Sequence, residues 1–293
     1  MSDLGSALRR RNPGNVVGYL LENMREKSSR ITIADIERFH RTVDHDTSSA
    51  TMFESGGKLS LAAASELACI LLDANSKALD RAVDISFADC EIWAMFRRMR
   101  AAASPRRITH SAIVLAKIPT PYNENWYVGE AKRFEEALLQ GRFSQGLSRS
   151  LTGAVFEMVD NVWKHSGVTK DALLGYQIGS RTFSFIVTDL GVGVLKTLTM
   201  NRRFAHLKTS IDALEEAVKP NVSGDTDGSG LGLDKLTREL ANLWGRTRLR
   251  SGQGALTFNR EGATPKRIHN FLPHLGGFQI SAVCRLSPPQ NYS

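Results

Sequence analysis

The chain has 293 residues, 42% hydrophobic and 23% charged, with a net charge of +8. This balance suits a globular protein with a sizeable core, in one large domain or two smaller ones, and no apolar run approaches the roughly 20 residues of a membrane span. The basic start, "MSDLGSALRRRNPG", has no hydrophobic stretch behind it and does not read as a secretory signal.

Residues 1–105 read as a mainly helical module. "NVVGYLLENMREK" (15–27), "TIADIERFHRTV" (32–43), "SLAAASELACILLDANSKAL" (60–79) and "SFADCEIWAMFRRMRAAA" (86–103) have the composition and apolar spacing of helices. Ser60 is a candidate N-cap for the third, and Ser104-Pro105 ends the fourth. "TMFESGG" reads as a loop, and His40 and His45 in "ERFHRTVDHD" as a surface pair. After Pro105 the texture changes. "ITHSAIVLAKI" (108–118) is β-branched and apolar and predicts a strand. "NWYVGEAKRFEEALLQGR" and "SQGLSRSLTGAVFEMVDNVWKHSG" predict helices, and "ALLGYQIGSRTFSFIVTDLG" a hairpin turning near Gly179-Ser180. A helix after Gly230 puts Leu233, Leu236, Leu240 and Leu243 on one stripe, with Gly245 as its C-terminal glycine. "RTRLRSG", "ALTFN" and "GFQISAVCRL" predict strands. Residues 106–293 thus mix helices with a sheet.

Cys69, Cys90 and Cys284 are scattered and odd in number, which suits neither a disulfide framework nor a zinc site. Buried free thiols and a reducing, cytoplasmic setting are expected. The basic clusters "ALRRRN" and "FRRMRAAASPRR" suit solvated surface charge or an anionic partner such as nucleic acid. No aromatic residues alternate with them as in a single-strand binding groove.

Three polar stations stand out. In "EMVDNVWKHSG", Glu157 and Asn161 lie one helical turn apart, with Lys164 and His165 one turn further on the same face. Leu151, Val155, Met158 and Val162 form the adjacent apolar stripe. The helix can bury one side while aiming these groups at a common space, although i, i+4 pairing on a helix surface would use the same spacing. In "SFIVTDLGVGV", an apolar strand ends in Asp189, followed by Gly191 and Gly193. A carboxylate there is a fixed acceptor, and the glycines let the backbone approach a flat ligand closely; a plain turn is the alternative. In "GDTDGSGLGLDKL", Gly228, Gly230 and Gly232 open a helix with Leu231 and Leu233 between and after them. Small residues at a helix start leave N–H groups free for an anion. The pattern is neither a Walker loop nor a Rossmann fingerprint.

The order of these stations resembles the GHKL ATP-binding family of gyrase B subunits, heat-shock chaperones, histidine kinases and mismatch-repair ATPases. "EMVDNVWKHS" matches its N box, "DLGVGV" its first glycine box and "GSGLGL" its second, across roughly residues 106–287. The resemblance implies an α+β fold: a two-layer sandwich with a mixed sheet and helices on one face, with a lid at about 194–228. It implies ATP and Mg2+ as ligands. Asn161 would hold the metal, and Glu157 would act as the base for an attacking water or hydroxyl. Lys164 and His165 would approach the phosphates. Asp189 would accept the adenine amine, with Gly191 and Gly193 close to the base. Gly228, Gly230, Leu231, Gly232 and Leu233 would shape the lid edge and phosphate-facing helix start. "TSIDALEEAVK" predicts a short helix within the lid.

Two features depart from the family. Phe278 stands in "LGGFQISAV" where a Gly-Thr pair is usual beside the adenine, with Thr257 in "ALTF" a distant substitute. The His-Glu-Leu-Arg pattern of a phosphoaccepting histidine is missing, which argues against autophosphorylation. The expected function is a magnesium-dependent ATP-binding protein, an ATPase-type switch on a protein partner. The alternatives are a kinase for a separate protein, as in anti-sigma relatives, or a non-catalytic nucleotide sensor with nucleic-acid contact. A homodimer is admitted and a membrane is not.

Overall fold

The computed structural model describes residues 30–31, 58–74, 90–101, 106–165, 172–220, 222, 232–241, 243–259, 266–268, 272 and 274–286. The chain divides into two compact units, Met1–Arg97 and Arg98–Ser293. The expected helices at 15–27 and 32–43, the 51–57 loop, and His40 and His45 lie outside the described residues.

In the first unit, β1 (Arg30–Ile31) pairs in parallel with β2 (Lys58–Leu59), a contact the helical reading does not contain. Helix α1 (Leu61–Ala74) follows. Ser60 caps it as expected, its hydroxyl accepting from the Ala63 N–H at 3.2 Å. Helix α2 (Glu91–Arg100) runs from this unit into the second. Its Trp93, Phe96 and Met99 are buried, while Arg97 and Arg98 are exposed.

The second unit is α+β. Its eight-stranded sheet has the order β3-β4-β5-β6-β10-β7-β8-β9. The strands are β3 (Arg107–His110), β4 (Ile113–Lys117), β5 (Leu173–Gly179), β6 (Thr182–Asp189), β7 (Trp244–Gly252), β8 (Gly254–Asn259), β9 (Lys266–Ile268) and β10 (Leu275–Arg285). Every pair is antiparallel. The expected mixed sheet is therefore corrected to an antiparallel one, because successive strands are joined mostly by hairpins rather than crossovers. The segment 108–118 is likewise corrected from one strand to a hairpin: Ser111 takes a positive φ of 51° at its turn, where glycine or asparagine would have signalled the reversal. The hairpin turning at Ser180-Arg181 agrees with expectation.

Helices α3 (Glu124–Gln140) and α4 (Gln145–His165) connect β4 to β5. Asn123 caps α3 by accepting the Trp126 N–H at 2.8 Å. After β6 come α5 (Gly193–Thr199), a 3-10 turn at Arg202–Phe204, and α6 (Ser210–Ala217), then α7 (Gly232–Ala241). One core joins the inward sheet residues Leu174, Tyr176, Phe183, Phe185, Val187, Leu249, Leu256 and Ile280 to Phe134 and Leu138 of α3, Leu151, Val155 and Val162 of α4, and Leu236 and Leu240 of α7. The helices thus cover one face, as expected. Gly245 is not a helix terminus. It lies in β7 opposite Cys284, because the link from α7 to β7 is only two residues long.

All three cysteines are free and buried, and burial pushes the Cys284 thiol up to about 12. Among the described residues no helix is long and apolar enough to cross a membrane.

Candidate functional site

The strand register fixes where the stations lie. Leu173 pairs with Thr188, so the end of β6 and the start of β5 share one edge of the sheet. Helix α4 ends at His165, a short connection before Leu173, and so reaches the same edge with its polar C-terminal half. Helix α4 packs against β6 and against α7. Helix α7 leads into Trp244, which pairs with Arg285 at the far edge. Its ten residues span about 15 Å at 1.5 Å per residue, which carries Gly232 back toward the Asp189 edge.

Asp189 continues the inward-facing series Phe183, Phe185, Val187 and is 6% exposed. Its Oδ1 accepts the Gly191 N–H at 2.8 Å, and the Phe278 N–H also donates to the carboxylate. Burial pushes the carboxyl up to about 6, with the two amides pulling the other way. An ionised carboxylate offers about four acceptor positions, so two bonded amides leave capacity for another donor.

Around it the backbone is closely packed. Gly193 has a φ of +75°, and a Cβ there would stand 2.9 Å from the Ser251 hydroxyl and 3.1 Å from the Gly277 carbonyl oxygen. Gly277 has a φ of +80°, and a Cβ on it would run into the Asp189 carbonyl oxygen and come within 2.6 Å of the Gly191 nitrogen. The close approach is thus backbone to backbone, between the β6 turn and the start of β10. Ser251 ties it together: its hydroxyl donates to Gly277 O at 2.8 Å and accepts the Val194 N–H at 3.0 Å. Beside this knot lies a cleft of about 340 Å³, lined by Gly191, Gly193, Lys196, Ser210, Ser251 and His274 among others, within the usual range for small-ligand sites. Ser251 and Gly277 were not anticipated. Their link to Asp189 is made across strands distant in sequence, and only "LGG" gave a local hint.

On α4, Glu157 and Asn161 are half-buried. Asn161 makes a weak contact with Met158 Sδ at 4.0 Å, and among the described residues Glu157 has no hydrogen-bond or ion-pair partner. Burial, with Asp160, Tyr122 and Glu157 adding, raises the Tyr127 hydroxyl, so this acidic face meets the aromatic cluster of Tyr122, Tyr127 and Trp163. Lys164 binds Asp160 at 2.5 Å in an i, i+4 pair, the helix-surface arrangement. His165 is the last residue of α4 and Gly232 the first of α7. Leu233 packs against the core. Gly228, Gly230 and Leu231 lie outside the described residues. No residue of α4 lines the 340 Å³ cleft, so the polar residues of α4 and the Asp189 turn lie on packed elements without meeting in that cleft.

Within the expected lid, α6 matches the predicted short helix, with Thr209 as its cap. Leu198, Phe204, Leu207, Ala213 and Val222 form a small apolar cluster of their own. Thr257 lies on β8 opposite Arg248, with β7 and β10 between it and Asp189, and cannot stand beside that carboxylate. Phe278 pairs directly with Asp189.

No protein-family model, curated protein or solved structure matches this chain.

Proposed function

We propose that Arg98–Ser293 is a magnesium-dependent ATP-binding unit of GHKL type, acting as an ATPase-type conformational switch on a protein partner. One observation carries the reading: α4, which holds Glu157 and Asn161, packs against β6, which ends in Asp189, and against α7, which begins at Gly232. The donor set fits the ligand. Asp189 is buried, fixed by two amides and has acceptor capacity to spare for an exocyclic amine. Asn161 supplies the one amide oxygen that a magnesium ion with phosphate and water ligands needs. Among the described residues no group of three or more His, Cys, Asp or Glu could hold a metal, so the cation would depend on such shared coordination. Glu157, the half-buried carboxylate one turn away, would take a proton from the attacking water. ATP would supply the phosphoanhydride whose cleavage drives the switch. Lys164 is the weakest member of the set, being engaged by Asp160.

Calorimetry and phosphate release test this together. Asp189→Asn should abolish ATP binding, and Glu157→Ala should keep binding and lose turnover. Unchanged ATP affinity in Asp189→Asn would sink the proposal, and unchanged turnover in Glu157→Ala would reject Glu157 as the base.

A further inference from the structure

At the opposite end of the sheet from Asp189 lies a second cleft, of about 540 Å³, between α3 and the β3–β4–β5 strands. Three arginines line it: Arg107, Arg133 and Arg142. Two of them are held from beneath by Glu130, which is fully buried. Arg107 Nε donates to Glu130 Oε1 at 3.2 Å, and Arg133 Nε and Nη2 donate to Oε2 at 3.0 and 2.8 Å. The Tyr176 hydroxyl donates to Oε1 at 3.2 Å and accepts from Arg107 Nη2 at 3.3 Å. The buried carboxylate is thus fully engaged, and it orients two guanidinium groups at the cleft wall while cancelling only one of their charges.

The third arginine stands where the backbone favours glycine. Helix α3 ends in a paired reversal: the Phe143 N–H donates to Leu138 O at 3.1 Å, and the Arg142 N–H to Leu139 O at 3.0 Å. That motif puts its C′ residue in the left-handed region, where glycine is the usual occupant; here Arg142 takes it, with a φ of 67°. Among the described residues the other non-glycine positive φ values belong to Ser111 (51°) and Arg181 (62°). Ser111 lines the same cleft, and Arg181 follows Ser180, which also lines it. Left-handed non-glycine residues are strained and gather at functional sites. Among the described residues two of the three line this cleft and the third adjoins a lining residue. Among the described residues Arg142 has no carboxylate partner, and Arg133 keeps Nη1 unused.

We propose that this cleft binds the phosphoryl group of a small phosphorylated ligand, with Arg142 and Arg133 as its fork-shaped donors and the Ser111 and Ser180 hydroxyls as neighbouring ones. Guanidinium forks match phosphate oxygens in a bidentate way that a point charge does not. The cleft volume falls in the small-ligand range. The site is separate from the proposed nucleotide station: β6 alone puts on the order of 20 Å between the two ends, at about 3.3 Å per residue.

The competing account makes Arg142 a cation that only complements the C-terminus of α3. Inorganic phosphate titrated into the full chain, followed by backbone amide chemical shifts, separates the two. The expected result is a saturable shift at Gly141, Arg142 and Ser180. Arg142→Gly, which relieves the left-handed strain and so keeps the fold, should weaken it at least ten-fold. Arg142→Lys keeps the charge and loses the fork, and should weaken it several-fold. No saturable shift in the parent chain, or the same titration curve in Arg142→Gly, would overturn the site. Saturable shifts at Asn161 and Gly232, with none at Arg142, would return the phosphate to the nucleotide station and overturn it equally.

Discussion

Asp189 shows how one residue serves two ends. Its carboxylate pins the β6 turn to β10 through the Gly191 and Phe278 amides, and its burial raises it to about 6. In an unfolded chain the group titrates near the ordinary aspartate value, so between about pH 4 and pH 6 the folded state holds a proton that the unfolded state has lost. Stability contributed at this position is therefore full below that window and declines as pH rises through it. Asp189→Asn removes the slope, and urea midpoints taken across this range check it. ATP affinity should move the opposite way, strengthening as pH rises through about 6, because only the ionised form keeps its acceptor capacity. The residue itself was legible, since an apolar strand that ends in Asp-x-Gly-x-Gly announces a carboxylate at a strand end. What the glycines are for was not legible. Gly193 at the start of α5 and Gly277 in β10 meet although 84 positions separate them, by the difference between their numbers, and only the register brings them together. Lys164 was given to the phosphates by the resemblance, and helical spacing gave only its face; neither says that Asp160 reaches the ammonium first.

At the level of elements, the β6 turn and the start of β10 meet backbone to backbone, with Ser251 bonded to both sides. β10 changes register between Leu275 and Phe278, and Gly277 sits in that irregularity with its φ of +80°. Gly277→Ala should cost about 2–3 kcal/mol, since the added methyl meets backbone rather than a movable side chain and the conformation disfavours any L side chain. Urea unfolding measures it, and a change under about 0.5 kcal/mol, the range of an ordinary surface substitution, would show that the turn relaxes freely. Local pattern recovered α3, α4, α6, α7 and the β5–β6 hairpin, because their apolar periods and caps are written within a few residues. It merged β3 with β4, since a serine in a left-handed turn carries no punctuation, and it gave Gly245 to a helix because the two-residue link to β7 leaves no room for a visible break. Strand direction was wrong for a deeper reason: whether neighbours run parallel depends on which strands pair, and β10 pairs with β6 and β7 from far along the chain.

At the scale of the whole molecule, the stations proposed for the nucleotide all belong to the unit Arg98–Ser293. A fragment from Cys90 to Ser293, which keeps α2 whole, should bind ATP within about two-fold of the full chain if the unit stands as its own domain. Calorimetry on both decides it, and a ten-fold loss would put part of the site in the first unit. The order of the strands carries one more consequence. Among the described residues β10 lies between β6 and β7 and supplies the strand pairing that joins β3–β6 to β7–β9. Without the strand from Leu275 to Arg285, β6 and β7 would each keep an unpaired edge, and its insertion would close the sheet and lock the Asp189 turn together. A nascent chain stalled just before it would expose two unpaired edges, which makes this stage of birth, rather than the finished fold, the point most open to aggregation.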